Sequence, residues 1–90
     1  ERIISLTQKH VRGRLVETLL MLSEIFGFES DGRTINASLS RDDLAHHSNM
    51  TTSNAIRTLS NLAAEGKIAI KRKKITLLDL PALEMISKVG

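Results

Sequence analysis

The chain has 90 residues, 41% of them hydrophobic, which suffices for one small domain with a core and argues against disorder. It contains no Cys, which excludes a disulfide framework, a thiolate nucleophile and a Cys-based zinc site. With two Phe and neither Tyr nor Trp, it lacks the aromatic faces on which single-stranded nucleic acid stacks. No run approaches the roughly 18 apolar residues of a membrane-spanning helix, and no signal peptide is visible.

The net charge of +3 is distributed unevenly along the chain. Residues 1–14 carry four basic residues and one acid, and residues 67–74 carry five basic residues and no acid. Two basic patches that flank a nearly neutral segment are typical of proteins in which phosphate contacts bracket a base-reading element.

Residues 2 to about 26 have apolar side chains at steps of three, four or seven, which predicts a long helix. We expect Gly13 to mark a close packing contact or a hinge, because a mid-helix Gly costs about 1 kcal/mol relative to Ala. Thr7 is a suitable N-cap, and we favour a helix break there. Residues 1–6 would then be the end of a preceding dimerisation helix or a linker, and residues 7–90 the domain. The predicted apolar face comprises Ile4, Val11, Leu15, Leu19, Leu22 and Phe26, widened by Leu20, Met21 and Ile25.

Residues 27–33 contain two Gly, an Asp and a Ser and are predicted to form a loop. The next segment, Thr34 to Leu39, is predicted to be one short strand.

Residues 39–65 predict two short helices joined by a tight corner. Ser40 is expected to cap the first helix, in which the acidic first turn suits the helix dipole. Residues 48–50 form the corner, with Asn49 in the left-handed conformation. Thr51 caps the second helix, residues 51–65, and Gly66 ends it.

The second helix combines an apolar stripe with a polar start. Its outward residues near the start are Thr52, Ser53, Asn54 and Arg57, all of which can form hydrogen bonds and none of which is bulky. Such a face, supported by another helix, suits the major groove of DNA, although an ordinary helical hairpin has the same pattern. The residues expected on the buried stripe are Ala55, Ile56, Leu59, Leu62 and Ala63.

Residues 67–71 and 75–78 alternate as two strands, and Arg72, Lys73 and Lys74 form the turn between them. Adjacent cations at a hairpin tip favour a polyanionic partner; the alternative is a solvated turn whose lysines deter edge-to-edge aggregation. Asp79 is expected to cap a last short helix with Pro81 in its first turn.

This order of elements predicts a mainly α fold with a small β-hairpin (α+β), a winged helix–turn–helix. The sequence also resembles the C-terminal DNA-binding domain of Crp/Fnr-type bacterial transcription regulators over residues 7 to about 86. The motifs that carry the resemblance are VRGRL at residues 11–15, LSRxDLA from residue 39, xRxLxxLxxEG from residue 56 and IxLLDL from residue 75.

The resemblance implies a recognition helix in the major groove, with Thr52, Ser53 and Arg57 at base edges. Family members often have Arg and Glu at the first two positions, so this chain lacks a bidentate guanine reader and a cytosine-facing carboxylate. We therefore expect an operator different from the family's most familiar half-site. Ser48 and Thr58 are further departures, at positions that are usually apolar. The implied phosphate contacts are Ser40, Arg41, Thr51, Asn54, Lys71 and Lys73.

The resemblance also implies the context of a longer regulator. Such proteins are cytoplasmic homodimers that carry an N-terminal β-barrel sensor and a long dimerisation helix. We expect dimerisation through that missing part, no cofactor within these 90 residues, and an effector that the sequence does not identify. Activation would in addition require a surface for RNA polymerase, which the sequence does not locate.

Two other classes of function are weighed against DNA binding. For an enzyme or a metal protein, His46 and His47 are poorly placed, since adjacent helical residues point about 100° apart. The sequence has no phosphate-binding glycine loop and no nucleophile motif, so no catalytic or metal residue is assigned. A winged helix can also bind protein or RNA. The polar start of the second helix argues against a protein partner, because it offers no apolar anchor.

Overall fold

A computed structural model describes residues 2–89 of the chain, and the side chains of residues 11–88. Within this range it contains four helices and one antiparallel two-stranded hairpin, which confirms the predicted fold class and the winged helix–turn–helix. None of the helices in this range is long and apolar enough to cross a membrane. The elements are α1 (Arg2–Phe26), α2 (Arg41–His47), α3 (Thr52–Ala64), β1 (Ile68–Lys71), β2 (Lys74–Leu77) and α4 (Leu80–Val89).

Helix α1 is continuous, so the predicted break at Thr7 is wrong. Threonine is tolerated in a helix interior, and its capacity to act as a cap does not by itself end a helix. The division into residues 1–6 and 7–90 stays a prediction. Gly13 is buried within the helix. The buried face is narrower than predicted: Leu15, Leu19 and Leu22 are buried with Val16, whereas Met21, Ile25 and Phe26 are exposed, and Ile4 lies outside the described side chains.

The predicted strand from Thr34 to Leu39 is also wrong. Only Thr34 and Ile35 pair, as isolated bridges to Thr76 and Phe28. The amide of Ala37 donates to the Ile35 carbonyl at 2.8 Å, which closes a tight turn and ends the extended segment. The segment thus fixes buried Ile35 against the hairpin without forming a strand.

The hairpin has a shorter turn than predicted. Lys71 pairs with Lys74, so the turn consists of Arg72 and Lys73 alone. Arg72 has φ 59°, in the left-handed region that glycine usually occupies in such turns. The tip of the hairpin therefore holds a cationic side chain where the backbone would favour glycine.

The core lies where α1, the helical pair, the hairpin and α4 meet. Helix α4 begins after Asp79, whose carboxylate accepts from the Ala82 amide at 3.3 Å, as predicted. On α3, Thr58 is buried while Ile56 is 46% exposed, so the predicted burial of Ile56 is wrong. The fully buried large side chains are Leu15, Val16, Leu19, Ile35, Leu44, Leu59, Leu62, Ile68, Ile75 and Leu83.

Candidate nucleic-acid interface

Helix α2 starts with a capping box. The hydroxyl of Ser40 accepts from the Asp43 amide at 3.0 Å, and the Asp43 carboxylate accepts from the Ser40 amide at 3.4 Å. Two otherwise unpaired backbone donors are thereby satisfied. The predicted cap is confirmed, and it fixes the direction in which α2 leaves the preceding loop.

The corner between the helices is held by one backbone conformation and one buried hydrogen bond. Asn49 has φ 57°, as predicted for this position. Ser48 is 3% exposed, and its Oγ donates to Thr18 Oγ1 of α1 at 3.0 Å. The polar residue at a usually apolar position is therefore paired. No local sequence pattern predicts this contact, because Thr18 lies 30 residues before Ser48 in the chain.

Helix α3 starts as predicted, with the Thr51 hydroxyl accepting from the Asn54 amide at 3.1 Å. It is one residue shorter at each end than the predicted 51–65, because Thr51 and Glu65 are its caps. Ser53 and Arg57 are exposed and lie one turn apart on the same face, since residues i and i+4 share a face. Thr52 and Asn54, on either side of Ser53 in the chain, are partly buried.

Thr52 contacts the preceding helix. Its Oγ1 donates to Oδ1 of Asp42, in the first turn of α2, at 2.8 Å. Asp42 is one of the two acidic residues in the first turn of α2, where the sequence predicted a favourable interaction with the helix dipole. The structure adds it to the candidate interface, because it binds one of the predicted base-reading side chains.

The tip of the hairpin, residues 71–74, which we call the wing, lies beside the start of α2. Arg41 donates from Nη1 to the Arg72 carbonyl at 3.1 Å, and the Leu39 amide donates to the Lys73 carbonyl at 2.7 Å. Lys71 and Lys73, both predicted phosphate contacts, are exposed. The structure thus brings Ser40 and Arg41 together with the wing.

The cations of the wing are not equivalent. Nζ of Lys74 lies 2.6 Å from Oε2 of Glu29, a loop residue that precedes the helical pair. Lys71, Arg72 and Lys73 are exposed at the end of the hairpin. Part of the basic charge counted in residues 67–74 is therefore neutralised by a specific neighbour.

A cleft of about 440 Å³ separates α1 from the exposed face of α3, and its lining includes Arg12, Asn54, Arg57 and Asn61. At its border, Arg12 and Lys67 both donate to the carboxylate of Glu65. These hydrogen bonds, first that of Arg12 and then that of Lys67, lower the pKa of Glu65 to about 2. Arg12, from the first basic patch, is thus paired within the protein.

Comparisons with known proteins agree with this architecture. Residues 13–86 match the family model of the Crp-like helix–turn–helix domain. The transcriptional regulator TTHA1359 of the CRP/FNR family, from Thermus thermophilus, superposes with a TM-score of 0.82 at 29% identity, covering 99% of this chain and 46% of that chain. For TTHB099, a CRP-family regulator from the same organism, the TM-score is 0.77 at 26% identity, covering 87% of this chain and 40% of that chain.

A third similar structure is the Thermus thermophilus catabolite activator protein, with a TM-score of 0.78 at 21% identity, covering 97% of this chain and 38% of that chain. At that identity it shows the fold alone. No curated protein matches the chain. The chain spans less than half the length of these three solved structures. Because the family model covers most of the sequence, the chain belongs to the Crp-like helix–turn–helix domain family.

Proposed function

We propose that this chain is the C-terminal winged helix–turn–helix domain of a Crp/Fnr-type transcription regulator and binds specific double-stranded DNA sequences. The observation that carries the proposal is the exposed start of α3 together with the cationic wing, both of which contact the start of α2: Thr52 binds Asp42, and the Arg72 carbonyl binds Arg41. Ser53 and Arg57 share the open face of α3, and Lys71 and Lys73 are exposed at the hairpin end. The face of α3 suits the major groove, and the wing suits the adjacent phosphates.

Base recognition is assigned to Thr52, Ser53 and Arg57. Arg57 can bind both O6 and N7 of guanine through two guanidinium donors, which is the strongest single discrimination available on this face. Ile56 is 46% exposed on the same helix, where an apolar side chain can contact a thymine methyl group. Sequence specificity would then come from one long cation, two short hydroxyls and one apolar contact.

Phosphate binding is assigned to side chains around that face. Arg41 keeps guanidinium donors beyond the one used on the Arg72 carbonyl, because guanidinium has five N–H groups. Contacts of this kind carry no sequence information but supply most of the affinity and its salt dependence. The proposed phosphate-binding residues are Ser40, Arg41, Thr51, Asn54, Lys71 and Lys73.

The proposed context is a cytoplasmic homodimer. Two copies of α3 would occupy major grooves of half-sites about one helical turn apart. Dimerisation would depend on a sensor domain and a long helix that precede these residues, and activation on a contact with RNA polymerase. The similar structures are those of transcription regulators more than twice as long as this chain, which supports a further domain in the whole protein.

A second candidate function is binding of a protein partner, and the exposure of Ile56 favours it. This apolar side chain could serve as an anchor in a protein interface. The cations of the wing and the polar residues around Ile56 favour DNA, since protein interfaces bury few unpaired charges at their centre.

The deciding experiment is selection of bound sequences from a random duplex pool, using the full-length protein at moderate salt. A second pool at low salt serves as the control for purely electrostatic binding. Enrichment of a two-fold-symmetric site is expected. Binding without enrichment, even after candidate effectors are added, would reject specific DNA recognition and favour the protein-interaction module.

A further inference from the structure

The hydrogen bond between Thr52 and Asp42 has a defined direction. Oγ1 of Thr52 lies 2.8 Å from Oδ1 of Asp42. An ionised carboxylate carries no proton and can only accept, so the shared hydrogen belongs to the threonine hydroxyl. Asp42 is exposed and Thr52 is partly exposed, so this pair lies at the surface of the helical pair.

This direction changes what Thr52 offers to a ligand. A hydroxyl has one hydrogen to donate and two lone pairs that accept. Because its hydrogen is held by Asp42, the oxygen can serve a further partner only as an acceptor. Ser53, the next residue, is exposed, and its hydroxyl can rotate toward a ligand either to donate or to accept.

The geometry points to Asp42 as a positioning residue for base recognition, one that makes Thr52 select bases with an exocyclic amino group. In the major groove, cytosine N4 and adenine N6 are donors, whereas guanine presents N7 and O6 and thymine presents O4 as acceptors. A hydroxyl that can only accept therefore matches cytosine and adenine and repels guanine and thymine. This inference rests on the proposed function, since it requires α3 to lie in the major groove.

The contact between Thr52 and Asp42 gives a physical meaning to the departure of this chain from its family at residue 52. An Arg at the position of Thr52, which members of the family often have, would donate to the acceptor edge of guanine. Thr52 with Asp42 reads the opposite property, a donor on the base. Thr52 with Asp42 would thus replace recognition of guanine by recognition of an amino-bearing base, instead of merely removing a contact.

The test compares substitutions of Asp42 that differ only in their capacity to accept. In Asp42→Ala the threonine proton is released, so guanine and thymine become acceptable at the base pair read by Thr52. In Asp42→Asn the amide oxygen still accepts from Thr52, so the preference is kept although the charge is lost. Each full-length variant is taken through the duplex selection, and its affinities for the selected site and for its single-base replacements are measured.

We expect the unaltered protein and Asp42→Asn to prefer cytosine or adenine over guanine or thymine by about tenfold, at one position of the strand that Thr52 reads in each half-site. We expect Asp42→Ala to reduce that ratio to about twofold, with the base preferences at the other positions of the half-site unchanged. Thr52→Val, which keeps the shape but removes the oxygen, should lose the same preference. Adding Asp42→Ala to Thr52→Val should then change nothing further, because the two substitutions remove one interaction.

Two results would overturn the inference while leaving the proposed function intact. One is an unchanged base preference in Asp42→Ala when the unaltered protein enriches a defined site. The other is equal loss of preference in Asp42→Ala and Asp42→Asn, which would mean that charge and not hydrogen-bond direction matters. If the unaltered protein enriches no site, the proposed function fails, and this inference fails with it. The matched control is Ser53→Ala, for which the effect of Asp42→Ala should be undiminished.

Discussion

Arg12 of α1 binds both carboxylate oxygens of Glu65, the C-cap residue of α3. Nη1 lies 3.1 Å from Oε2, and Nη2 lies 2.5 Å from Oε1. A paired guanidinium contact of this kind fixes orientation as well as distance. The end of the candidate recognition helix is thereby tied to the long helix that precedes it. Both side chains are partly exposed, at 29% and 40%, so solvent screens the attraction.

The first prediction concerns the pH dependence of this contact. The pKa of Glu65 is lowered from 4.5 to about 2, by Arg12 first and by Lys67 second. A carboxylate whose folded-state pKa is depressed adds stability above its unfolded pKa, and this is lost as pH falls through the folded value. Glu65→Gln should therefore be less stable than the unaltered protein at pH 7. The difference should shrink between pH 4.5 and about 2.

Urea unfolding followed by circular dichroism across this pH range checks the prediction. The control is Glu24→Gln, which removes an exposed carboxylate from α1. Its stability difference should be small throughout. A Glu65→Gln difference that is the same at pH 7 and at the acid limit would contradict the assigned contact.

The second prediction concerns the buried hydroxyl pair under the helical corner. Ser48→Ala removes the donor to Thr18 Oγ1 and should lower the free energy of unfolding by about 1 kcal/mol. Thr18→Val should have a similar effect, since it leaves Ser48 without its acceptor. The double variant should cost less than the sum of the two, and denaturant unfolding of all four proteins measures this coupling. Strict additivity would show that the two hydroxyls do not interact, and exposed Ser60→Ala serves as a neutral control.

The third prediction concerns the long cation on α3. Arg57→Ala should cost on the order of 1–3 kcal/mol of binding free energy at the selected site and relax preference at one base pair. Titrations against the selected duplex and its single-base variants measure both effects. Lys88→Ala removes the same charge from α4 and should leave sequence preference unaltered. Preserved discrimination in Arg57→Ala would contradict a base-reading role.

The fourth prediction separates two adjacent lysines of the hairpin. Lys73→Ala should weaken binding to all sequences alike and reduce the slope of log affinity against log salt by about one unit. Lys74→Ala removes an equal charge but also leaves Glu29 without its partner at 2.6 Å. Because Lys74 is paired with Glu29 and is not one of the proposed phosphate-binding residues, the effect of Lys74→Ala on the salt slope should be smaller than that of Lys73→Ala. If Lys73→Ala altered sequence preference instead, the wing would contact bases.

The fifth prediction concerns the left-handed residue of the wing. Arg72 has φ 59°, which glycine adopts without the steric cost borne by other residues. Arg72→Gly should raise the stability by up to about 1 kcal/mol, since the relief is partly offset by the greater freedom of glycine in the unfolded chain. Lys73→Gly, at a position with negative φ, should lower it. Thermal unfolding of the two variants checks the opposite signs, and equal effects would contradict the turn conformation.

Local signals in the sequence determined where the helical pair begins, turns and ends. Ser40 and Thr51 cap their helices as predicted, and Asn49 and Gly66 have positive φ. These features depend on residues within about four positions of one another, because caps and left-handed turns involve backbone groups of the adjacent turn. The overall class of the fold followed from the order of such elements.

Contacts between distant residues were decided only by the tertiary structure. The Ser48–Thr18 pair joins the corner to α1, and the Thr52–Asp42 pair joins α3 to α2, at separations that no periodic pattern reveals. The exposure of Ile56 likewise depends on how α3 is rotated against the core. Packing sets that rotation, and the sequence of one helix shows which side chains are apolar without showing which of them the neighbouring elements cover.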